Sequence, residues 1–493
     1  MSGYCYDVTD FGALVDASAV CTQAVQEAID ACHRHGGGVV LVPAGEYVTG
    51  TLQLRSHVNL HLLPGARLRG STNLEDYRAV RSGGWRRGLI FAENAEDVSI
   101  TGAGEINGSG SEFMDWDRYR DTPDYDAAFT RQGAGFPSPQ GMTGDGPVDF
   151  DGRPGMLIVL VDCENVAVRN VTLADSPVWT MRIGSCDDVR VSGITIRNNL
   201  AVANSDGVHV TGSRNVRISD CDLRCGDDAV CVTGFDNAPW RSDADADLSA
   251  RRGYHDGPSE NVVVTNCVLR SRSSGVRIGY GARGVRDCVV QNLTIYDSNR
   301  GLGVFARDAG SIENILFSNV TIRTRLMDGN WWGKGEPIHV SAVPREGQDE
   351  LGRIRNVRFR DVIAQGEAGI VLYGSAGSPL EDIALEGVQV TVSPGEQSSR
   401  FGGNFDLRPA ARMEQAIFRH DIPGIYAQHA DRLALRRCSV RWDGEPPSYC
   451  SHALELRNVR ELSLEDFRGR HAFPQTDEPA VLLDDVTRAG GRD

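Results

Sequence analysis

The sequence predicts an all-β fold: a single-stranded right-handed parallel β-helix with a short capping α-helix near its N-terminus. Three observations carry this. A strand-like phrase recurs about every 25 residues, Asn or Asp keeps a fixed place within it, and one early segment has a helical period.

The phrase comes first. It reads NVAVRNVTL at 165–173, DVRVSGITI at 188–196 and NVRISDCDL at 215–223. It continues as NVVVTNCVL at 261–269, DCVVQNLTI at 287–295 and NILFSNVTI at 314–322, with weaker copies at 356–364, 382–390 and 432–440. Starts at 165, 188 and 215, then 261, 287 and 314, give intervals of 23, 27, 26 and 27 residues, broken by one of 46. Each copy alternates apolar and polar residues, the mark of a short strand with one buried face. One such strand per period does not suit a sandwich. A coil of two or three short strands stacked on its neighbours does.

Fixed places within the phrase support stacking. Asn170, Asp220, Asn266, Asn292 and Asn319 share one position, where a turn needs a left-handed or side-chain-capped residue. Cys221, Cys267 and Cys438 share another, which reads as a column of small buried hydrophobes rather than metal ligands or disulfides.

The helical segment is 18–35. Cys21, Val25, Ala28, Ile29 and Cys32 fall on one face, and Gly36–Gly38 ends the pattern. A helix there would cover the open end of the coil, whose bare strand edge would otherwise invite aggregation. The whole chain, 1–493, then reads as one β-helix domain. Intervals longer than one period place insertions near 110–150, 235–258, 325–350 and 392–428, and loops on a rigid scaffold commonly shape clefts.

Composition bounds the partners. The net charge is −16, which disfavours nucleic acid. No run approaches the length that spans a bilayer, so no membrane partner is expected. The first residues, MSGYCYDVTDFGALVD, lack a basic stretch followed by an apolar run, and the cysteines form no CxxC pair. The expectation is a cytoplasmic protein with reduced thiols. The sequence is silent on oligomeric state.

Two acidic segments stand out against the repeat: Asn204-Ser205-Asp206-Gly207 and Gly226-Asp227-Asp228. Asp206 and Asp227 are 21 residues apart, about one coil, so stacking would bring them to adjacent rungs roughly 4.8 Å apart. Consecutive strand residues face opposite ways, so Asp227 and Asp228 can share a cleft only if the chain bends, which Gly226 permits. Crowded carboxylates push their pKa values apart, leaving one protonated as an acid and others ionised as bases. Either motif alone fits an ordinary turn, and clustered carboxylates can also hold Ca²⁺. The pair one coil apart is harder to dismiss.

On these motifs the chain resembles the polygalacturonase-like pectin hydrolases of glycoside hydrolase family 28. The resemblance runs from about residue 8 to about 345. It includes DFGA at 10–13, GGGVVLVPAGEY at 36–47, Gly102 to Gly108, and RPGMLIVLVDCENVAVRNVTLADSPVWT at 153–180 before the acidic motifs. It implies an inverting glycosidase that takes an oligo- or polysaccharide and needs no metal or cofactor. Asp227 would be the general acid, and Asp206 and Asp228 would activate the water. Asn204 would lie beside them in the substrate site.

Two departures bear on the sugar. Where the family carries Gly-His-Gly, this chain has Ser273-Ser274-Gly275. Where the family carries Arg-Ile-Lys to grip a uronate, it has Leu302-Gly303-Val304-Phe305. Arg182, Arg277, Arg300, Arg307 and Lys334 are the candidates to replace that grip, against the plainer reading of the arginines as solvated or paired on the outside of the coil, with Ser274 in the histidine's place. Trp331 and Trp332 offer faces for sugar stacking, and Glu336 lies in the same insertion. The expected substrate is a pectic or related acidic saccharide that can differ from plain polygalacturonate. A cytoplasmic site favours short oligosaccharides and hence exo-action. A Ca²⁺-dependent lyase and a non-catalytic carbohydrate-binding β-helix are the alternatives on the same architecture.

Overall fold

The computed structural model describes residues 5–79, 88–119, 146–242, 255–327, 331–345, 347–348, 350–408 and 417–489. The fold is a right-handed parallel β-helix. Two compact units divide it: Met1–Tyr119 with Pro147–Cys267, and Arg120–Gly146 with Val268–Asp493.

In the first unit, each turn of chain contributes three short strands, and like strands stack in parallel register. One stack runs through Gly38–Val42, Val58–Leu62, Glu96–Gly102, Glu164–Arg169, Asp187–Ser192, Arg214–Ser219 and Ser259–Thr265. Its inward residues, such as Val166, Val189, Val216 and Val262, are almost fully buried. The last four of these strands belong to the phrases read from the sequence, and their alternation exists because one face lines the core. The second unit repeats the device with longer strands that bend through two faces, Val285–Ser298, Ile312–Thr324 and Ile354–Gly366.

The bends explain the fixed Asn and Asp positions. Asn170, Asp220, Asn266, Asn292 and Asn319 all have φ between 54° and 62°. In that left-handed region a branched side chain clashes, whereas Asn and Asp are tolerated. Stacked turns then hydrogen-bond one another: the Asn266 amide donates to Asp220 at 3.3 Å, and Asn319 donates to Asn292 at 2.7 Å. The column cysteines sit inside the next bend. Cys221, Cys267 and Cys438 are buried, and their thiols donate to the carbonyls two residues back, Ser219, Thr265 and Arg436.

The helix α1 spans Thr22–Arg34 and buries Val25, Ala28, Ile29 and Cys32. It is shorter at its start than the periodicity suggested. Asp16–Val20 forms a strand instead, pairing in parallel with Gly45–Thr49, and the Cys21 amide also donates to Val48. The edge strand claims these residues before the helix can.

The insertions are partly described. Met114–Tyr119 pairs antiparallel with Pro147–Asp149, Ala238–Trp240 is a short turn, and Ser398–Phe401 is one helical turn. Residues 120–145, 243–254, 328–330, 346, 349 and 409–416 of these insertions lie outside the described residues.

Candidate active site

Three strands of the first unit build the site: β1, Met181–Gly184; β2, Val208–Thr211; and β3, Val230–Thr233. They stack in register, with Met181 opposite Val208 and Val208 opposite Val230. The ladder extends upstream. Gly207 N donates to the Asp228 carbonyl at 2.9 Å, and Thr180 N donates to the Asp206 carbonyl at 2.8 Å. Asp206 is therefore opposite Asp228, 22 residues on, and Asp227 sits one position earlier. The three carboxylates are 3%, 6% and 4% exposed for Asp206, Asp227 and Asp228, and they present oxygens within 4.8 Å of one another.

Local chemistry forces this convergence. The Asp228 amide donates to Asp227 Oδ1 at 2.9 Å, so the chain turns between the two aspartates. Gly226 N is held by Ser205 Oγ at 3.1 Å, and Ser205 Oγ donates to the Val202 carbonyl. A Cβ at Gly226 would fall 2.5 Å from Ser205 Oγ and 2.5 Å from the Val202 carbonyl oxygen. The glycine is thus a packing requirement as well as a bend. From the coil before, the Asn198 amide braces the Ser205 carbonyl at 3.0 Å and Thr180 Oγ1 at 2.7 Å. Asn204, exposed and left-handed at φ 60°, forms the rim, with Arg153 Nη2 at 3.5 Å from its side-chain oxygen.

Two side chains close on the aspartates that sequence reasoning had not singled out. His209 and Cys231 are register partners on β2 and β3, and both are fully buried. His209 Nδ1 lies 3.8 Å from Asp206 Oδ2. Cys231 Sγ lies 3.5 Å from Asp206 Oδ2 and 3.7 Å from Asp228 Oδ2. A signal was available: each stands three residues past an acidic residue of the motifs, Asp206 and Asp228. Trp179 stacks on His209 with centroids 3.6 Å apart. Arg182, opposite His209 on β1, lies between the Trp179 and Trp240 rings at 5.5 and 5.1 Å and donates to Asn237 Oδ1 at 2.5 Å. Burial pulls its guanidinium down to about 9. Beneath the site, Cys225 is held far above the usual thiol range, first by burial and then by the three aspartates.

The remaining candidates belong to the second unit, where several join one buried network. Arg300 donates to Asp406 Oδ2 at 3.0 Å and lies 3.9 Å from Glu336 Oε2. Asp406 also accepts from Gly333 N at 2.6 Å and Arg408 Nε at 2.7 Å. Glu336 accepts from Lys334 N at 2.5 Å and from Asp406 N at 2.7 Å. Burial would push the Glu336 carboxyl up, but the His339 hydrogen bond and the Arg300 charge reverse this and hold it at about 2. Burial pulls His339 down to about 4, against the pull of Glu336. Arg307 donates to the Ser341, Ala306 and Arg408 carbonyls and to Ser341 Oγ. Ser274 Oγ accepts from Arg300 Nη1 at 3.4 Å, and Arg277 lies over the Tyr280 ring at 4.5 Å. Trp331 is buried beneath Arg272, Trp332 is 39% exposed with Arg408 over its ring, and Lys334 is buried. Asp406, Arg408 and His339, which complete this network, were not legible in the sequence. Their partners come from insertions whose spacing follows no repeat.

Carboxylates gathered on one sheet face, braced by Asn and Ser, are the equipment of acid–base bond cleavage. The profile of glycosyl hydrolases family 28 matches residues 150–402, just over half of the chain and all of these strands. This chain belongs to family 28. It is a glycosidase. A probable polygalacturonase of Vitis vinifera is 25% identical over 78% of this chain and 73% of its own length. An exo-poly-α-D-galacturonosidase of Dickeya chrysanthemi is 26% identical over 64% of this chain and 55% of its own. Among solved structures, the exopolygalacturonase of Thermotoga maritima is similar with a TM-score of 0.62 at 22% identity, covering 79% of this chain and 87% of that one. The family 28 exopolygalacturonase of Yersinia enterocolitica gives 0.63 at 17% identity, covering 94% and 78%. These two likenesses support the β-helix fold.

This family 28 chain has a further group of potential metal ligands, His452, His471 and Glu478. His471 Nδ1 accepts the Phe473 amide at 3.0 Å, so its proton sits on Nε2, facing Glu478 at 3.2 Å. With its proton on Nε2 and its Nδ1 lone pair taken by Phe473 N, the His471 ring has no lone pair to offer a metal.

Proposed function

We propose that this glycosidase hydrolyses pectic or related acidic oligosaccharides with inversion, Asp227 acting as general acid and Asp206 with Asp228 as the paired base. The observation that carries the reading is the register. Asp206 and Asp228 stand opposite each other just ahead of the adjacent strands β2 and β3, with Asp227 turned beside them. Two carboxylates about one strand spacing apart can each accept a hydrogen bond of about 2.8 Å from a single water between them. Such a water is both positioned and deprotonated as it attacks. The leaving oxygen then takes its proton from the third carboxyl.

Inverting enzymes usually hold acid and base about 6.5–9.5 Å apart. Here the nearest oxygens of the three groups are within 4.8 Å. The reading therefore requires the water to be gripped by the Asp206–Asp228 pair, with Asp227 reaching the glycosidic oxygen from beside that pair. The acidic substrate class rests on the polygalacturonase relatives, and exo-action on those named as exo-enzymes.

The test is a panel of galacturonate, rhamnogalacturonan and neutral oligosaccharides with wild type and Asp227→Asn. Turnover of an acidic oligosaccharide, reduced about 10²–10⁴-fold by the substitution, is expected, since an amide cannot deliver the proton. Excess EDTA should not lower the rate. A rate that EDTA abolishes, with an unsaturated uronate product, would sink hydrolysis in favour of a Ca²⁺-dependent lyase.

A further inference from the structure

Arg182 on β1 carries a buried charge that makes no ion pair among the described residues. It is 2% exposed, and burial lowers its guanidinium only to about 9, so it is cationic in neutral solution. Its hydrogen bonds leave from Nη2, to Asn237 Oδ1 at 2.5 Å and to the Asp236 carbonyl at 3.5 Å. Nε is buried without an acceptor, and neither bond uses Nη1.

The acids around it are engaged elsewhere. Asp162, whose amide donates to the Gly184 carbonyl at 3.0 Å, takes Arg241 instead, Nε to Oδ2 at 2.7 Å and Nη2 to Oδ1 at 2.9 Å. Asp236 lends its charge to Arg182, but its exposed side chain accepts the Ala238 amide at 3.1 Å. Buried charges are as a rule paired, because desolvation is costly and a neutral amide repays little of it. An unpaired cation fits a ligand that brings the counter-charge.

The surroundings hold the guanidinium in place. Asn237 Nδ2 donates to Ser185 Oγ and to the Thr211 carbonyl, both at 3.0 Å, which leaves Oδ1 facing Arg182. Gly184 makes room for this, since a Cβ there would fall 2.5 Å from Asn237 Oδ1. The Trp179 and Trp240 ring centroids are 5.5 and 5.1 Å from the guanidinium carbon, contacts that steady a cation without neutralising it. Both indoles are only partly buried. Arg182 is opposite His209, and Thr180 N donates to the Asp206 carbonyl. Arg182 is therefore one rung before Asp206 and three residues along, about 10 Å on the strand.

We propose that Arg182, held by Asn237 beside Trp179 and Trp240, binds the carboxylate of a uronate ring in the substrate and so selects acidic saccharides. The proposal rests on the hydrolysis proposed above and names the residue that recognises its substrate. The sequence lacks the family's basic grip at 302–305, so a uronate needs its cation from elsewhere. A guanidinium offers paired N–H groups to a carboxylate, whereas a methyl ester at the same carbon brings no charge.

The experiment measures kcat/KM of the purified full chain on a galacturonate oligosaccharide and on its methyl ester, and the binding of digalacturonate by Trp fluorescence. Arg182→Gln should lower the acid-over-ester ratio about 10–100-fold, mostly through KM, and weaken digalacturonate by a similar factor. Arg182→Lys keeps the charge and loses the fork; it should fall between the two and serves if the Gln variant does not fold. An unchanged ratio overturns the assignment. An equal loss on acid and ester overturns it too, and makes Arg182 a prop for the two indoles. A wild type that hydrolyses neither substrate refutes the functional reading instead. The binding arm then judges Arg182 alone: digalacturonate binding that Arg182→Gln abolishes upholds the subsite, and no binding, or equal binding in the variant, overturns it.

Discussion

In the proposed reaction Asp227 is the residue on which the chemistry turns, and its neighbours would set different tasks for the three carboxylates. Asp206 and Asp228 share a register; Asp227 accepts the Asp228 amide and stands apart from that pair. Asp206→Asn should therefore lower kcat by about 10²–10⁴-fold with KM little changed, since it removes half of the water's grip and not the sugar's. Steady-state kinetics on the best acidic oligosaccharide check this, and a change confined to KM would contradict it. The acidic motifs were legible because two short phrases one coil apart break the repeat. Their pairing was legible only to one residue: the spacing suggested Asp206 over Asp227, whereas the ladder sets Asp206 against Asp228. His209 and Cys231 escaped notice because a lone His and a lone Cys inside apolar strands read as core. Arg300 and Arg307, read as possible uronate grips, hold Asp406 and backbone carbonyls of their own unit.

At the scale of the strand and its bend, the repeat was almost fully legible. Alternation marks a buried face, and the recurrent Asn marks a left-handed corner; both are local rules that a sequence shows directly. Asn319→Val forces a β-branched residue to φ 55° and removes the hydrogen bond to Asn292. It should cost about 1–3 kcal/mol, read as a lowered urea midpoint with an unchanged slope. The same substitution at Thr321, an outward strand residue, should cost little. Gly226→Ala joins element to site. Its Cβ has no room beside Ser205 Oγ and the Val202 carbonyl. A loss of about 1–3 kcal/mol together with reduced turnover is expected. A fully active, equally stable Gly226→Ala would mean that the bend does not position the aspartates. The insertions were legible only as gaps in the period, because non-repeating loops obey no spacing rule.

For the whole molecule, the buried network of the second unit sets the response to acid. Glu336, normally near 4.5, is held at about 2, so the stability it supplies is present above pH 4.5 and lost as pH falls towards 2. His339 is kept neutral down to about 4, while in the unfolded chain it gains a proton near 6.5. The unfolded state therefore binds the extra proton between pH 6.5 and 4, and stability falls across that window as pH drops. Arg300, Asp406 and Glu336 surround this histidine. The melting temperature should decline from pH 6.5 to 4, and His339→Gln should flatten that decline; an unchanged slope would remove His339 from the account. None of this was legible in the sequence, because Asp406 meets Arg300 across 106 residues through an insertion without periodicity. The central claim concerns the reaction itself, and the anomeric configuration of the first-formed product, followed by proton NMR on a defined acidic oligosaccharide, tests it most directly. A water held between Asp206 and Asp228 predicts inversion at the cleaved anomeric carbon. Retention of configuration would contradict it, since it requires one of these carboxylates to bond the sugar.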